Sequence, residues 1–253
     1  MKVHIIEGEA GCRFAAERPC AAVVVDALRA SATAAALLEH NAEALLITRT
    51  VTDAFALKER FPDALLYGER GGVPPDGFDY GNSPEESAHA SGKRVVFTTT
   101  TGAGRLLQAG DATPILMGTT VNAVSVVQYL LKAAATEVVL IPAGLMDAPE
   151  FDAQEDRAAA AYIAMTLCER HEAVTWGAGH DEFLNYRARI AKDGLEALFL
   201  SAPHADKLRA IDREADVYAC ARTNIYAAVP VVCERHGMYA VVRDGHKQTH
   251  DVE

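Results

Sequence analysis

Three β-branched residues in a row, Val23-Val24-Val25, run straight into Asp26, and an alanine-rich, helix-favouring stretch follows as far as Leu38. An unbroken β-branched run of this kind reads as a strand buried on both faces, the habit of parallel sheets covered by helices. Asp26 then stands at the carboxyl end of the strand, where open α/β sheets bind their ligands. Arg29 and Ser31 fall at the start of the following helix, whose free N–H groups and dipole favour anions.

The flanking sequence repeats the pattern. Strands are expected over residues 3–6, 21–25, 44–47 and 64–67, with helices over 31–39 and from Thr52 to residue 60. Thr52 reads as the cap of that second helix, with Ala54, Phe55 and Leu57 sharing its apolar face. Periodicity stops over 68–92, a connection long enough to suggest a functional loop, within which Pro84, Glu85 and Glu86 open a short helix. Strands resume at 94–98, 114–117 and 137–142, with helices at 102–108, 122–135 and 155–170 and a loop at 144–153. The last third is less regular, with helices at 182–191 and 205–211 and strands at 229–232 and 239–242. No linker or fixed repeat interrupts the chain, so residues 1–253 read as a single α/β domain with a mainly parallel sheet and room for two lobes.

Charge narrows the partners. With 24 basic against 35 acidic residues the net charge is −11, a field that repels nucleic acid and anionic lipid. A phosphorylated ligand therefore needs a local basic pocket or a metal ion. Five cysteines without a Cys-x-x-Cys spacing argue against a disulfide framework, and Cys168, in an apolar helical pattern, reads as a buried, inert thiol. No basic-then-apolar leader and no apolar run near ~20 residues is present, which points to a cytoplasmic protein away from membranes; a homodimer is compatible with it. The histidines lack zinc-site spacing, and His246 and His250 sit in a polar tail that reads as solvated. There is no Gly-Lys-Ser/Thr phosphate loop, no Gly-x-Ser-x-Gly elbow and no Gly-x-Gly-x-x-Gly after a strand.

Four further clusters could serve chemistry. Thr98-Thr99-Thr100-Thr101 meets Gly102 at a strand-to-helix turn that can cradle an anion, though threonine also simply favours strands and caps. Glu69-Arg70-Gly71-Gly72 pairs a carboxylate and a forked guanidinium with glycines that allow close approach; the bland alternative is a surface ion pair. Asn82 and Ser83 before Pro84 are either ligand donors or a plain turn. Glu155 and Asp156 open a helix, where acidic residues are expected for dipole reasons alone, yet hard oxygens there also suit magnesium.

Taken in order, Asp26-Ala-Leu-Arg-Ala-Ser31, Gly68-Glu-Arg-Gly-Gly72, Gly81-Asn-Ser-Pro84, Thr98-Thr-Thr100 with Gly102, Asn122-Ala123, Ala143-Gly144 and Glu155-Asp156 resemble the 2-phosphosulfolactate phosphatase family. The resemblance implies a three-layer α/β/α fold and magnesium-dependent hydrolysis of 2-phosphosulfolactate to sulfolactate and phosphate, a step towards coenzyme M or sulfolactate itself. It implies Asp26, Arg29 and Arg70 as the catalytic set and Asp26, Glu69, Glu155 and Asp156 as metal ligands. Ser31, Gly71, Asn82, Ser83, Thr99, Thr100, Gly102 and Asn122 would bind the small, multi-anionic substrate. Attack by a metal-oriented water and passage through a phospho-aspartate at Asp26 both fit. Thr101, Ala103 and Asn224 depart from the family pattern, where Asn, Thr and Asp respectively are usual. These departures make a substrate-shifted or non-catalytic relative the alternative, with weaker magnesium binding if Asn224 replaces a ligand.

Overall fold

The strand–helix alternation is realised in a computed structural model that describes residues 1–247 apart from Asp147 and Pro149. In order come β1 (Lys2–Ile5), α1 (Gly8–Ala16), β2 (Ala21–Val25), α2 (Ala30–Glu39), β3 (Ala44–Thr48), α3 (Val51–Arg60), β4 (Leu65–Gly68) and β5 (Arg94–Thr98). The chain continues with α4 (Gly102–Gln108), β6 (Ile115–Met117), α5 (Ala123–Lys132), β7 (Glu137–Pro142), α6 (Gln154–Arg170), β8 (Thr175–Trp176) and α7 (His180–Asp193). It closes with α8 (Leu195–Leu200), α9 (Pro203–Arg209), α10 (Glu214–Ala221), β9 (Pro230–His236) and β10 (Tyr239–Asp244). Short 3-10 turns lie at Pro84–Ala90 and Thr120–Asn122.

All ten strands join one sheet in the order β4-β5-β3-β10-β9-β6-β2-β7-β1-β8. The strands on either side of the β9–β10 hairpin form two parallel sets, and the hairpin joins them by antiparallel pairing to β3 and β6. Two parallel sets run in opposite local senses across that hairpin. Five successive pairings separate β5 from β2, and at about 20–25° of twist per pair the accumulated rotation exceeds about 100°. The loops that leave these two strands meet, with Gly102 lying against Asp26 and Ala30.

Burial on both faces explains why the strands are apolar runs. Val23 and Val25 of β2 pack into a cluster with α5 and α6, whereas Ala22 and Val24 pack with α1, α2 and α4. Leu45 and Ile47 of β3 join the second cluster, while Ala44 and Leu46 pack against Ala54 and Leu57 of α3. This is helix, sheet and helix in three layers.

Several local expectations are corrected. Helix α3 starts earlier than expected: Thr50, not Thr52, is its cap, its hydroxyl accepting from Asp53 N–H at 3.0 Å. Phe55 leaves the apolar face, is 38% exposed and meets Phe78 edge-on. Helix α1 was hidden by its two glycines, which lower helix propensity; Gly11 is required there because a Cβ would lie 2.1 Å from the Ile6 carbonyl oxygen. Strand β8 and helices α8 and α10 were also unforeseen. Cys168 is exposed on α6 rather than buried. His250 lies outside the described residues, and no described helix is long and apolar enough to cross a membrane.

One buried ion pair holds the site end together. Arg29, in the turn after β2, donates from Nη1 to Asp216 Oδ2 on α10 at 2.5 Å and from Nη2 to the Gly72 carbonyl at 2.7 Å. Ser83 donates to the other Asp216 oxygen at 2.6 Å. Both charged side chains are almost wholly excluded from solvent.

Two stability measurements follow. Thr50→Ala should lower stability by about 1 kcal/mol in denaturant unfolding, whereas Thr52→Ala at an exposed helical position should change it far less. Asp216→Ala should cost roughly 3–5 kcal/mol by leaving a buried guanidinium unpaired; replacing Arg29 by Met and Asp216 by Leu together should recover most of that loss.

Candidate active site

Asp26 owes its position to the tight turn that follows β2. Its own N–H donates to Ser31 Oγ at 3.0 Å, and Ser31 donates in turn to the Val24 carbonyl at 3.0 Å. Asp26 Oδ1 accepts from Ala30 N–H at 3.1 Å. A Cβ on Gly102 would lie 2.6 Å from Asp26 Oδ2 and from Ala30 Cβ, so only glycine lets α4 start against this carboxylate. Burial pushes the Asp26 carboxyl up to about 6; the charges of Glu69 and Glu155 add to the rise, while the Ala30 bond and His204 oppose it. Buried carboxyl groups favour the neutral form for this reason.

Glu69 follows β4 and stitches its loop to the threonine turn. Oε1 accepts from Thr100 N–H at 2.6 Å, and Oε2 accepts from the Thr100 hydroxyl at 3.0 Å and from Gly72 N–H at 2.9 Å. Thr99 Oγ1 accepts from Ala103 N–H at 3.0 Å and so caps the helix start. Arg70 does not take part in the anion grip expected of it. Its guanidinium donates to the carbonyls of Glu69 and Arg49 and to Thr98 Oγ1, outside the cleft.

At the head of α6, Asp156 Oδ1 accepts from Ala27 N–H at 2.7 Å and Oδ2 from Gly144 N–H at 3.0 Å, tying the ends of β2 and β7 together. Burial raises its proton affinity well above the usual range, with the Glu155 and Asp26 charges adding. Glu155 is fully buried, and its Oε1 lies 2.5 Å from His204 Nδ1 while Oε2 has no partner. Burial alone would lower the His204 imidazole, but its bond to Glu155 and the Glu155 and Asp26 charges outweigh that and raise it. No local signal marked His204, which immediately precedes an ordinary helical pattern; only its approach to Glu155 in space reveals it.

These parts meet at a cleft of ≈ 520 Å³. Of the residues singled out from sequence, Asp26, Arg29, Glu69, Gly71, Asn82 and Thr100 line it, as does Thr101. Ser31, Ser83, Thr99 and Asn122 do not: each spends its polar atoms on the protein, Asn122 by accepting from Thr119 N–H and donating to the Ala228 carbonyl. Gly102 acts behind Asp26, and Ala103 is fully buried in the core. Asn224 is no substitute ligand, since it lies outside the cleft lining and its Oδ1 accepts from Val124 N–H at the start of α5. An aspartate would serve equally there, because helix N-termini favour negative charge. The cleft also draws on Lys207, Leu208 and Ile211, from α9 and the turn beyond it, which no motif announced.

The arrangement offers proton-transfer groups beside hard oxygen donors. Among the described residues no group of three or more His, Cys, Asp or Glu side chains is placed to hold a metal ion by itself, so the expected four-carboxylate ligand set is not formed as a cage. Glu155 and Asp156 lie outside the cleft lining, and the carboxylates that line it are Asp26 and Glu69.

Residues 12–235 match the family model described as 2-phosphosulpholactate phosphatase. A Carboxydothermus hydrogenoformans protein named probable 2-phosphosulfolactate phosphatase is 36% identical over 213 residues, covering 83% of this chain and 85% of its own. A Thermus thermophilus protein of the same name is 36% identical over 240 residues, covering 94% and 96% respectively. One from Deinococcus radiodurans is 44% identical over 129 residues, covering 50% and 54%. The cleft is built from the segments that the family model spans, and the chain belongs to the 2-phosphosulpholactate phosphatase family.

Proposed function

We propose that the protein is a magnesium-dependent phosphatase that hydrolyses 2-phosphosulfolactate to sulfolactate and phosphate. The observation that carries this reading is the meeting of Asp26, Glu69, the Thr100 turn and the His204–Glu155 pair at one cleft. Family membership supports the reaction class, and the names of the relatives support the substrate.

Magnesium at phosphate sites is commonly held by one or two carboxylates, with waters and substrate completing its shell. Asp26 and Glu69 fit that mode as hard donors lining the cleft, and the unpartnered, buried Glu155 Oε2 marks a region short of positive charge. Bound there, the ion would offset charge on the phosphoryl oxygens.

The protein's own groups supply the proton traffic. Asp26, which lines the cleft, orients a water for in-line attack on phosphorus and takes its proton. As the phosphorus–oxygen ester bond breaks, His204 delivers a proton to the departing alkoxide. Glu155 fixes the imidazole through Nδ1, which leaves Nε2 for the cleft. Leu28, Leu208 and Ile211 add apolar lining to the cleft. Thr101 is the departure from the family pattern that touches this cleft, and its hydroxyl is engaged by Met146 N–H at 3.2 Å.

Phosphate release from 2-phosphosulfolactate should require magnesium, stop with chelator and be abolished by Asp26→Asn. His204→Ala should slow it by roughly 10²–10⁴. Absence of release across a panel of phosphorylated hydroxy acids, with tight anion binding retained, would instead establish a non-catalytic binder.

A second expectation concerns pH. The Asp26 carboxyl rises from 3.8 to about 6 in the folded chain, so between these values the folded state holds more protons than the unfolded one. Stability therefore falls as pH rises through that window and stays lower above it. With chelator present, Asp26→Asn should stabilise the protein at about pH 7 and lose that advantage below about pH 4, as read from denaturant midpoints.

A further inference from the structure

The cations near the cleft are not equally available. Arg29 lines it but is consumed by Asp216 and the Gly72 carbonyl, and Arg70 lies outside. His204 is held by Glu155. Among the described residues, Lys207 is the lysine or arginine lining the cleft whose charged group meets no carboxylate or carbonyl within bonding distance. Its ammonium sits 4.0 Å from the centre of the Phe151 ring, and the same ring lies 4.6 Å from that of His204. Phe151 thus spaces the two polar side chains that α9 presents three residues apart, where helical neighbours share a face. Cation–π contact of this kind restrains a lysine without neutralising it.

The lining also holds a polar group waiting for a partner. Asn82 is more than nine-tenths buried, and its Oδ1 makes no hydrogen bond. Buried amides are ordinarily satisfied by protein, water or ligand, and an amide can present either its oxygen or its nitrogen.

We propose that Lys207 binds the acid group of the substrate remote from its phosphoryl group, and thereby makes the cleft selective for phosphorylated acids over neutral phosphate esters. The proposal rests on the phosphatase reading of the same cleft and deepens it. A chain of net charge −11, with Asp26 and Glu69 lining the same cleft, repels a multi-anionic ligand unless each anionic end meets a cation. Magnesium would serve the phosphoryl end. The ammonium of Lys207, a compact point charge on a flexible stem, serves the other end, while Asn82 adds an unpaired amide to the cleft lining.

Calorimetric binding of 3-sulfolactate and of inorganic phosphate, in wild type, Lys207→Met and Lys207→Arg, tests the assignment without relying on turnover. Lys207 is exposed, and methionine keeps the length of its stem, so folding is not at stake. Loss of a charge-assisted bond should weaken 3-sulfolactate by about tenfold or more in Lys207→Met and leave phosphate within about twofold, with Lys207→Arg restoring most of the difference. In turnover, the kcat/KM ratio of 2-phosphosulfolactate over 4-nitrophenyl phosphate should fall by a similar factor through KM. Equal weakening of both anions, or of neither, overturns the proposal. Lys207-dependent binding of 3-sulfolactate with no phosphate released from any ester by wild type overturns the phosphatase reading alone, and wild type that binds neither anion overturns both.

Discussion

Like charges kept together out of water are the constraint around which this protein is built. Asp26, Glu69, Glu155 and Asp156 lie close enough, and deep enough, that burial and mutual repulsion raise the proton affinity of Asp26 and Asp156. Such a cluster persists only where donors surround it. Here the donors are backbone N–H groups of Ala30, Thr100, Gly72, Ala27 and Gly144, together with the His204 imidazole. Those same bonds join the ends of neighbouring strands: Asp156 links β2 to β7, and Glu69 links the loop after β4 to the turn after β5. Fold and site are therefore held by one set of contacts.

The arrangement has consequences for stability and for recognition. A carboxyl group that holds its proton more tightly folded than unfolded destabilises the protein at neutral pH, a common trade at active sites. The guanidinium that lines the cleft, Arg29, is spent on anchoring α10 and the Gly72 loop to the turn after β2. Positive charge for an incoming anion must then come from elsewhere, which gives weight to α9 and to a bound cation. The β9–β10 hairpin matters for the same reason: it joins two parallel sets whose carboxyl-end loops supply Asp26 on one side and Glu69 and Thr100 on the other.

Contiguous signals were legible in the sequence and dispersed ones were not. The Val23–Val25 run fixed a buried strand, and Asp26 at its end lines the cleft as that logic requires. Glu69 and Thr100 were found as polar groups beside glycines, and they do meet. Ser31, Ser83, Thr99 and Asn122 were equally conspicuous yet serve the backbone or buried carboxylates instead, because every buried polar atom needs a partner and sequence does not say which. Arg70 likewise spends its guanidinium on Glu69, Arg49 and Thr98 outside the cleft lining. His204, Lys207 and Asp216 stand on helices of the irregular last third, where ordinary amphipathic patterning masks them; docking of α9 and α10 onto the sheet end gives them their roles. Thr52 was preferred to Thr50 by a two-residue uncertainty typical of helix ends.

The central claim is that Asp26, Glu69 and the Thr100 turn form one phosphoryl site. A crystal structure determined with magnesium and inorganic phosphate tests it most directly. Phosphate is expected in the ≈ 520 Å³ cleft, with a metal ion held by Asp26 or Glu69 and Lys207 left free for a second anion. Phosphate and metal bound away from Asp26, with this cleft holding only solvent, would contradict it.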